Sequence, residues 1–148
     1  MTPWYARCRL GLEFAPEVAT MKVATLCSTE VITAEVTDTL FEAAQKMARN
    51  HVGALAVLDE GALVGVISEA DLVTAIAEEA SPELTAVDEY MTEGAITVTP
   101  QDDAATAARR MVEHGIGHLP VIDHDSPIGM VSKGDLLALG AVPGPRPT

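Results

Sequence analysis

Gly65-Val66-Ile67-Ser68-Glu69-Ala70-Asp71 and Gly129-Met130-Val131-Ser132-Lys133-Gly134-Asp135 are the two stretches on which the reading of this chain turns. Each has the spacing Gly-x-x-Ser-x-x-Asp, follows an apolar run and opens a helical pattern. They lie 64 positions apart, and the match extends outward from them without a gap. Ile32 and Thr33 fall on Ile96 and Thr97; Ala43, Ala44 and Met47 fall on Ala107, Ala108 and Met111. Gly53, Leu55, Val57 and Asp59 fall on Gly117, Leu119, Val121 and Asp123. About 15 of 53 aligned positions are identical, which marks an internal repeat.

Each copy reads β-α-β-β-α. A short β-branched run opens it, Val31 to Thr33 and then Ala95 to Thr99. The helix that follows has Thr39 and Glu42 in a capping-box pattern, with Leu40, Ala43, Ala44 and Met47 on one apolar face. In the second copy Asp103 is the expected N-cap, and Ala104, Ala107, Ala108 and Met111 form the stripe. Gly115 is the expected left-handed stop, with Asn50 in that role in the first copy. Two apolar runs then form a hairpin: Ala54 to Leu58 with Leu63 to Ile67, and Leu119 to Ile122 with Ile128 to Val131, the second turn ending in Pro127. A second helix follows Ser68 and Ser132. The order places the fold in the α/β (α+β) class, as tandem β-α-β-β-α repeats. Repeat one is assigned to 21–80, a linker at Ser81-Pro82 to 81–86, repeat two to 87–141, and tails to 1–20 and 142–148. The first tail holds Trp4, Tyr5 and Phe14, and reads either as a loose end or as a packing arm.

Composition narrows the function. A length of 148 residues suits one compact unit, and no run of eighteen apolar residues spans a membrane. A net charge of −13 has the wrong sign for a nucleic-acid backbone or an anionic lipid surface. Cys8 and Cys27 lack a CxxC setting, and the N-terminus lacks a secretory pattern, so reduced thiols and a cytoplasmic location are expected. His51, His114 and His124 show no metal-ligand spacing, so no metal is expected. No nucleophile–base motif, Walker loop or HExxH is present, so no catalytic residue is assigned.

The Gly-x-x-Ser-x-x-Asp pair admits two roles. Ser68 and Ser132 can simply cap the helices that follow. Alternatively, glycine admits a ligand close to the backbone, the helix mouth offers N–H donors, and the aspartate accepts both hydroxyls of a ribose. Recurrence of all three residues in both copies favours the second role. His118 is either a structural residue or a ligand contact, and Arg109 and Arg110 are either a solvated face or a phosphate contact.

These motifs, with Met91-Thr92 before the second copy's first strand and His114-Gly-Ile-Gly-His-Leu-Pro-Val-Ile-Asp123 at its middle, resemble the cystathionine-β-synthase (CBS) domain family over residues 21–141. The resemblance implies a pseudo-twofold CBS pair with two clefts between the repeats, pairing into homodimers and regulating an unidentified protein target. It implies an adenosyl ligand: AMP, ADP, ATP or S-adenosylmethionine. Carried over by position, Gly65, Ser68 and Asp71, and Gly129, Ser132, Lys133 and Asp135, meet ribose and phosphate. Ile32, Thr33, Leu55 and Ala56, and Ile96, Thr97, His118, Leu119 and Pro120, enclose the base. Many nucleotide-binding members carry Arg just before the Asp; here Ala70 and Gly134 stand there. The lost charge-assisted bond, about 1.5–3 kcal/mol, favours AMP or an S-adenosylmethionine-like ligand over ATP. The competing class is a protein–protein or dimerisation module with degenerate, empty clefts, favoured by the missing Arg and by Ala56 in place of the usual Pro.

Overall fold

The computed structural model describes residues 12–13, 16–27, 31–139 and 142–143. Trp4, Tyr5, Cys8 and Phe14 lie outside the described residues. In chain order the elements are β1 (Leu12–Glu13), α1 (Pro16–Ala19), β2 (Thr33–Glu35), α2 (Leu40–Asn50), β3 (Ala54–Asp59), β4 (Ala62–Ser68), α3 (Glu69–Ala77), β5 (Thr92–Glu93), α4 (Ala104–His114), β6 (His118–Asp123), β7 (Ser126–Ser132), α5 (Lys133–Ala138) and β8 (Val142–Pro143). The chain divides into two compact units. One comprises the described residues of 12–27, 96–124 and 128–143, the other 31–95 with 125–127.

In the unit of the first repeat, four strands form the order β2-β3-β4-β5. β2 runs parallel to β3, pairing Thr33 with Ala56, Ala34 with Val57 and Glu35 with Leu58. β3 and β4 make the antiparallel hairpin, turned at Glu60 and Gly61, both at positive φ. Two positive-φ residues match the twist of the flanking strands. Alternation along β3 sends Leu55 and Val57 into a core with Ile67, Leu40, Ala43, Met47 and Ala75.

In the second repeat, β6 and β7 pair across a turn at His124 and Asp125, again both at positive φ. Pro127 lies inside β7 rather than ending the turn. The core collects Val98, Ala104, Ala107, Ala108, Met111, Leu119, Val121, Val131 and Leu136. The strand expected over Ala95 to Thr99 shrinks to one parallel bridge, Val98 with Val121. Pro120 supplies the reason. In the first unit the Ala56 N–H donates to the Ile32 carbonyl at 3.3 Å, and proline at the matching position has no N–H to give. β1 and β8, outside both repeats, pair antiparallel.

The grouping in space parts from the order in sequence at the segments leading into each repeat. The lead-in to repeat one packs in the unit of repeat two: Val23 N–H donates to the Asp102 carbonyl at 2.8 Å, and Ala104 N–H to the Met21 carbonyl at 2.9 Å. The lead-in to repeat two packs in the unit of repeat one by the same bonds. Val87 N–H donates to the Asp38 carbonyl at 2.8 Å, and Leu40 N–H to the Thr85 carbonyl at 2.9 Å. Each lead-in forms a short 3-10 turn that buries a valine completely, Val23 and Val87. Each repeat's first helix is therefore covered by the other repeat's lead-in.

Candidate functional site

Both Gly-x-x-Ser-x-x-Asp motifs sit where a strand ends and a helix begins, β4 into α3 and β7 into α5. Both close a complete capping box. The Ser68 hydroxyl accepts from the Asp71 N–H at 3.4 Å, and the Asp71 carboxylate accepts from the Ser68 N–H at 2.8 Å. The Ser132 hydroxyl accepts from the Asp135 N–H at 3.1 Å, and Asp135 accepts from the Ser132 N–H at 2.8 Å. The capping role is therefore real in both copies. It does not exhaust either aspartate. Every one of these carboxylate bonds ends on Oδ2, and no described residue donates to Oδ1 of Asp71 or Asp135. Both side chains are half-buried. A carboxylate has room for about four hydrogen bonds, so each keeps acceptor capacity at the mouth of its helix.

Each motif is tied to the strand that carries the remaining candidates. The Glu69 N–H donates to the Gly53 carbonyl at 3.0 Å, and the Lys133 N–H to the Gly117 carbonyl at 2.9 Å. This places Asp71 beside the start of β3 and Asp135 beside the start of β6. Thr33 and Thr97 are half-buried, as are Ile32 and Ile96 just before them. Ala56 and Pro120 are buried. His118 and Lys133 are half-buried in the second unit.

Three of the expected roles meet further facts in the structure. Leu55 and Leu119 are completely buried in the two cores, so any part they play beside a base would fall to their backbone. Gly65 has a reason to be small within the fold itself. A Cβ there would stand 2.6 Å from the Thr92 carbonyl oxygen and 2.9 Å from Met91 Sδ, so the chain's own β5 fills that space. Gly129 is likewise buried. Arg110 is half-buried rather than on a solvated face. Its guanidinium donates to the Thr97 carbonyl and to Asp102.

That last contact exposes a constellation the sequence reading passed over. In the first unit Lys46 donates to the Thr33 carbonyl at 3.0 Å and to Asp38 at 2.9 Å. Asp38 in turn accepts from the Glu35 N–H at 3.0 Å, as Asp102 accepts from the Thr99 N–H at 2.8 Å. Every member falls on its counterpart at the 64-residue offset; Thr33 and Asp38 recur unchanged as Thr97 and Asp102, and a cation is kept at 46 and 110, which was the available signal. Burial pushes the Asp38 carboxyl up, but the Glu35 N–H and the Lys46 ammonium outweigh it and hold it below the ordinary carboxylate value. Cys27, a free thiol, is pushed up by burial and by the charge of Asp135. Among the described residues no group of three His, Cys, Asp or Glu could hold a metal, and no helix is long and apolar enough to cross a membrane. An open groove of about 480 Å³ is lined by Met47, His51, Val52, Glu69 and Leu72 among others, and no predicted site residue lines it.

Tandem β-α-β-β-α units with paired Ser–Asp helix caps define the class of fold. The CBS domain family profile matches twice, over residues 23–78 and 87–141, and the chain belongs to that family. It is 30% identical over 109 residues to the CBS domain-containing protein YhcV of Bacillus subtilis, covering 74% of this chain and 78% of that one. It is 41% identical over 106 residues to the mitochondrial CBS domain-containing protein CBSX3 of Arabidopsis thaliana, covering 68% of this chain and 52% of the relative, about half its length. Among solved structures, the CBS domain pair of protein MJ0100 in complex with 5′-methylthioadenosine and S-adenosyl-L-methionine superposes with a TM-score of 0.75 at 27% identity, over 82% of this chain and 96% of that one. The CBS domain NE2398 gives 0.74 at 31% identity, over 79% and 94%.

Proposed function

We propose that this chain is a non-catalytic regulatory module that senses an adenosyl ligand at its Gly-x-x-Ser-x-x-Asp motifs. The observation that carries the reading is the unspent carboxylate oxygen of Asp71 and Asp135. Each aspartate is locked in orientation by its capping box while Oδ1 is left to accept from ribose hydroxyls. The adenosyl compounds bound by MJ0100 support the ligand class. The internal use of Lys46 and Arg110 supports AMP or an S-adenosylmethionine-like species over ATP, because neither cation is left over for a chain of phosphates. A cytoplasmic setting accords with the free thiol of Cys27.

The test is a thermal-shift panel of adenosine, 5′-methylthioadenosine, S-adenosylmethionine, AMP and ATP. Ligands that bind the folded state raise Tm by mass action. At a hundredfold excess over Kd the stabilisation is about 2.7 kcal/mol. The shift should vanish in the Asp71→Ala/Asp135→Ala double variant, judged against its own unliganded Tm. A flat response across the panel in the unaltered protein would end the sensor reading.

One further feature favours self-association into a homodimer, through which ligand occupancy would reach a protein target. α3 exposes Val73 and Ile76 at 68% and 61% of their surfaces, and α5 exposes Leu137. Sedimentation of Val73→Glu/Ile76→Glu against the unaltered chain tests it; equal mass for both would remove the dimer from the proposal.

A further inference from the structure

We propose that a second copy of this chain lays its α5 on the α3 face, with its Lys133 against Glu69, so that repeat one of each copy meets repeat two of the other. This rests on the homodimer reading and names the faces that meet.

α3 carries one outward stripe: Glu69, Leu72, Val73 and Ile76 follow the i, i+3, i+4, i+7 spacing of a single helix face. Val73 and Ile76 are largely exposed. Glu69 and Leu72 also line the open groove, together with Met47 and Val52. Groove and stripe therefore form one apolar face with a carboxylate at its head. Contiguous exposed apolar surface rimmed by polar groups marks a protein contact. α5 carries the counterpart at the 64-residue offset. Lys133 falls on Glu69, and Leu137, itself exposed, falls on Val73.

The apolar side chains would pair in either orientation, so the charge at the head of each stripe decides between them. Among the described residues neither the Glu69 carboxylate nor the Lys133 ammonium has an ion-pair or hydrogen-bond partner. Each copy carries a net charge of −13, so two copies repel at long range and their contact needs local relief. Like faces brought together would set Glu69 against Glu69 and Lys133 against Lys133. The crossed arrangement sets Glu69 against Lys133, and a two-fold axis makes that pair twice. Opposite signs at one repeated position thus select the partner face. Both residues directly follow the capping serines Ser68 and Ser132, so this seam runs past the opening of each motif helix.

The experiment is sedimentation equilibrium, without added nucleotide, of the unaltered chain, Glu69→Lys, Lys133→Glu and the double exchange. Either single reversal turns both attractive pairs repulsive and should raise the dimer Kd about tenfold, while the double exchange should return it to within about threefold of the unaltered value. Single reversals that leave the Kd unmoved, as like-to-like pairing requires, overturn the inference and leave the homodimer reading standing. A double variant as weak as the singles, or assembly beyond a dimer, also overturns it. An unaltered chain that stays monomeric removes both. Oxidative cross-linking decides the matter even if Glu69→Lys disturbs the start of α3. In a Cys8→Ser/Cys27→Ala background, Val73→Cys mixed with Leu137→Cys should give the mixed disulfide in preference to either self-linked species. Preferential self-linking of Val73→Cys would overturn the crossed pairing.

Discussion

In the first repeat the strand before the long helix runs for three residues beside its parallel neighbour; in the second it touches that neighbour at Val98 alone. Yet the bonds around the two strands are nearly identical. Thr39 and Asp103 cap their helices by accepting from the N–H three residues on. Lys46 and Arg110 each clamp a strand carbonyl to an aspartate. The lead-in segments exchange between units through matching bonds. Residues whose partner is a fixed backbone atom have stayed equivalent. Divergence falls at Ala56 against Pro120, at His51 against Gly115, and at Glu69 against Lys133, the residue that opens the helix of each motif. The scaffold is duplicated, and these three differences fall on a strand, a helix stop and a helix opening.

The sharpest way to break the duplication is Gly65→Ala. The new methyl would meet the backbone oxygen of Thr92, which cannot swing aside as a side chain can. Overpacking of this kind costs about 1–3 kcal/mol, and the upper end is expected because the β4–β5 pairing would have to open. The control is Gly134→Ala in the second motif. There the nearest atom to a new Cβ is Ser132 Oγ at 3.5 Å, an ordinary contact, and alanine is the better helix former by about 1 kcal/mol. Urea unfolding should show a large drop in midpoint for the first and none, or a small rise, for the second.

How far the sequence announced this follows from what each feature depends on. The two helix pairs, both hairpins and both Ser–Asp caps rest on local pattern, and all were legible. Asparagine tolerates the left-handed conformation better than most residues, so the sequence points to Asn50 as the stop of α2. The structure puts it on His51, at φ 53 and ψ 43, and turns Asn50 back to the Lys46 carbonyl. The offset pointed to the answer, since Gly115 lies opposite His51. The role of Gly65 was not legible, because its cause is a carbonyl 27 residues further along the chain. The Asp38–Lys46–Thr33 clamp spans a strand, a turn and a helix, so no single period reveals it. The unspent oxygens of Asp71 and Asp135 needed coordinates, since sequence alone leaves a capping aspartate and a ligand aspartate alike.

The clamps give the next comparison. Replacing the cation by methionine in Lys46→Met or Arg110→Met leaves a carboxylate and a carbonyl short of a donor. Hydrogen bonds to charged groups are worth about 1.5–3 kcal/mol when sheltered. Both pairs are about a third exposed on the cationic side, so about 1 kcal/mol is expected for each. The guanidinium can fork between two acceptors where the ammonium is a point charge. Lys46→Arg should therefore be tolerated, and Arg110→Lys should recover most of what Arg110→Met loses. A double-mutant cycle with Asp102→Asn reads the pair directly; a coupling indistinguishable from zero would demote the clamp to a coincidence of position.

Helix stops offer a smaller effect of opposite sign in the two repeats. His51 occupies a conformation that costs an ordinary L-residue about 1–2 kcal/mol. Gly115 takes the same conformation at φ 63 without that cost. His51→Gly should therefore stabilise the protein, by up to about 1 kcal/mol after the added freedom of the unfolded chain is subtracted. Gly115→Ala should destabilise it by a similar amount. If both variants shift the melting temperature in the same direction, the two stops are not equivalent.

The least effect belongs to Asp38. Its carboxyl is held below the ordinary value in the folded chain, so folding is favoured while the group is ionised in both states. That contribution is complete above the unfolded value, about pH 4, and disappears as the pH falls through the lowered folded value. Asp38→Asn removes the titration along with the ion pair to Lys46. Its stability curve should lie below that of the unaltered protein at neutral pH and converge with it on acidification. Because the pair is partly exposed, added salt should shrink the gap at neutral pH and leave the acidic end unchanged. A gap that stays constant from pH 6 to pH 2 would mean that Asp38 acts through its hydrogen bond to the Glu35 N–H alone, with no part played by its charge.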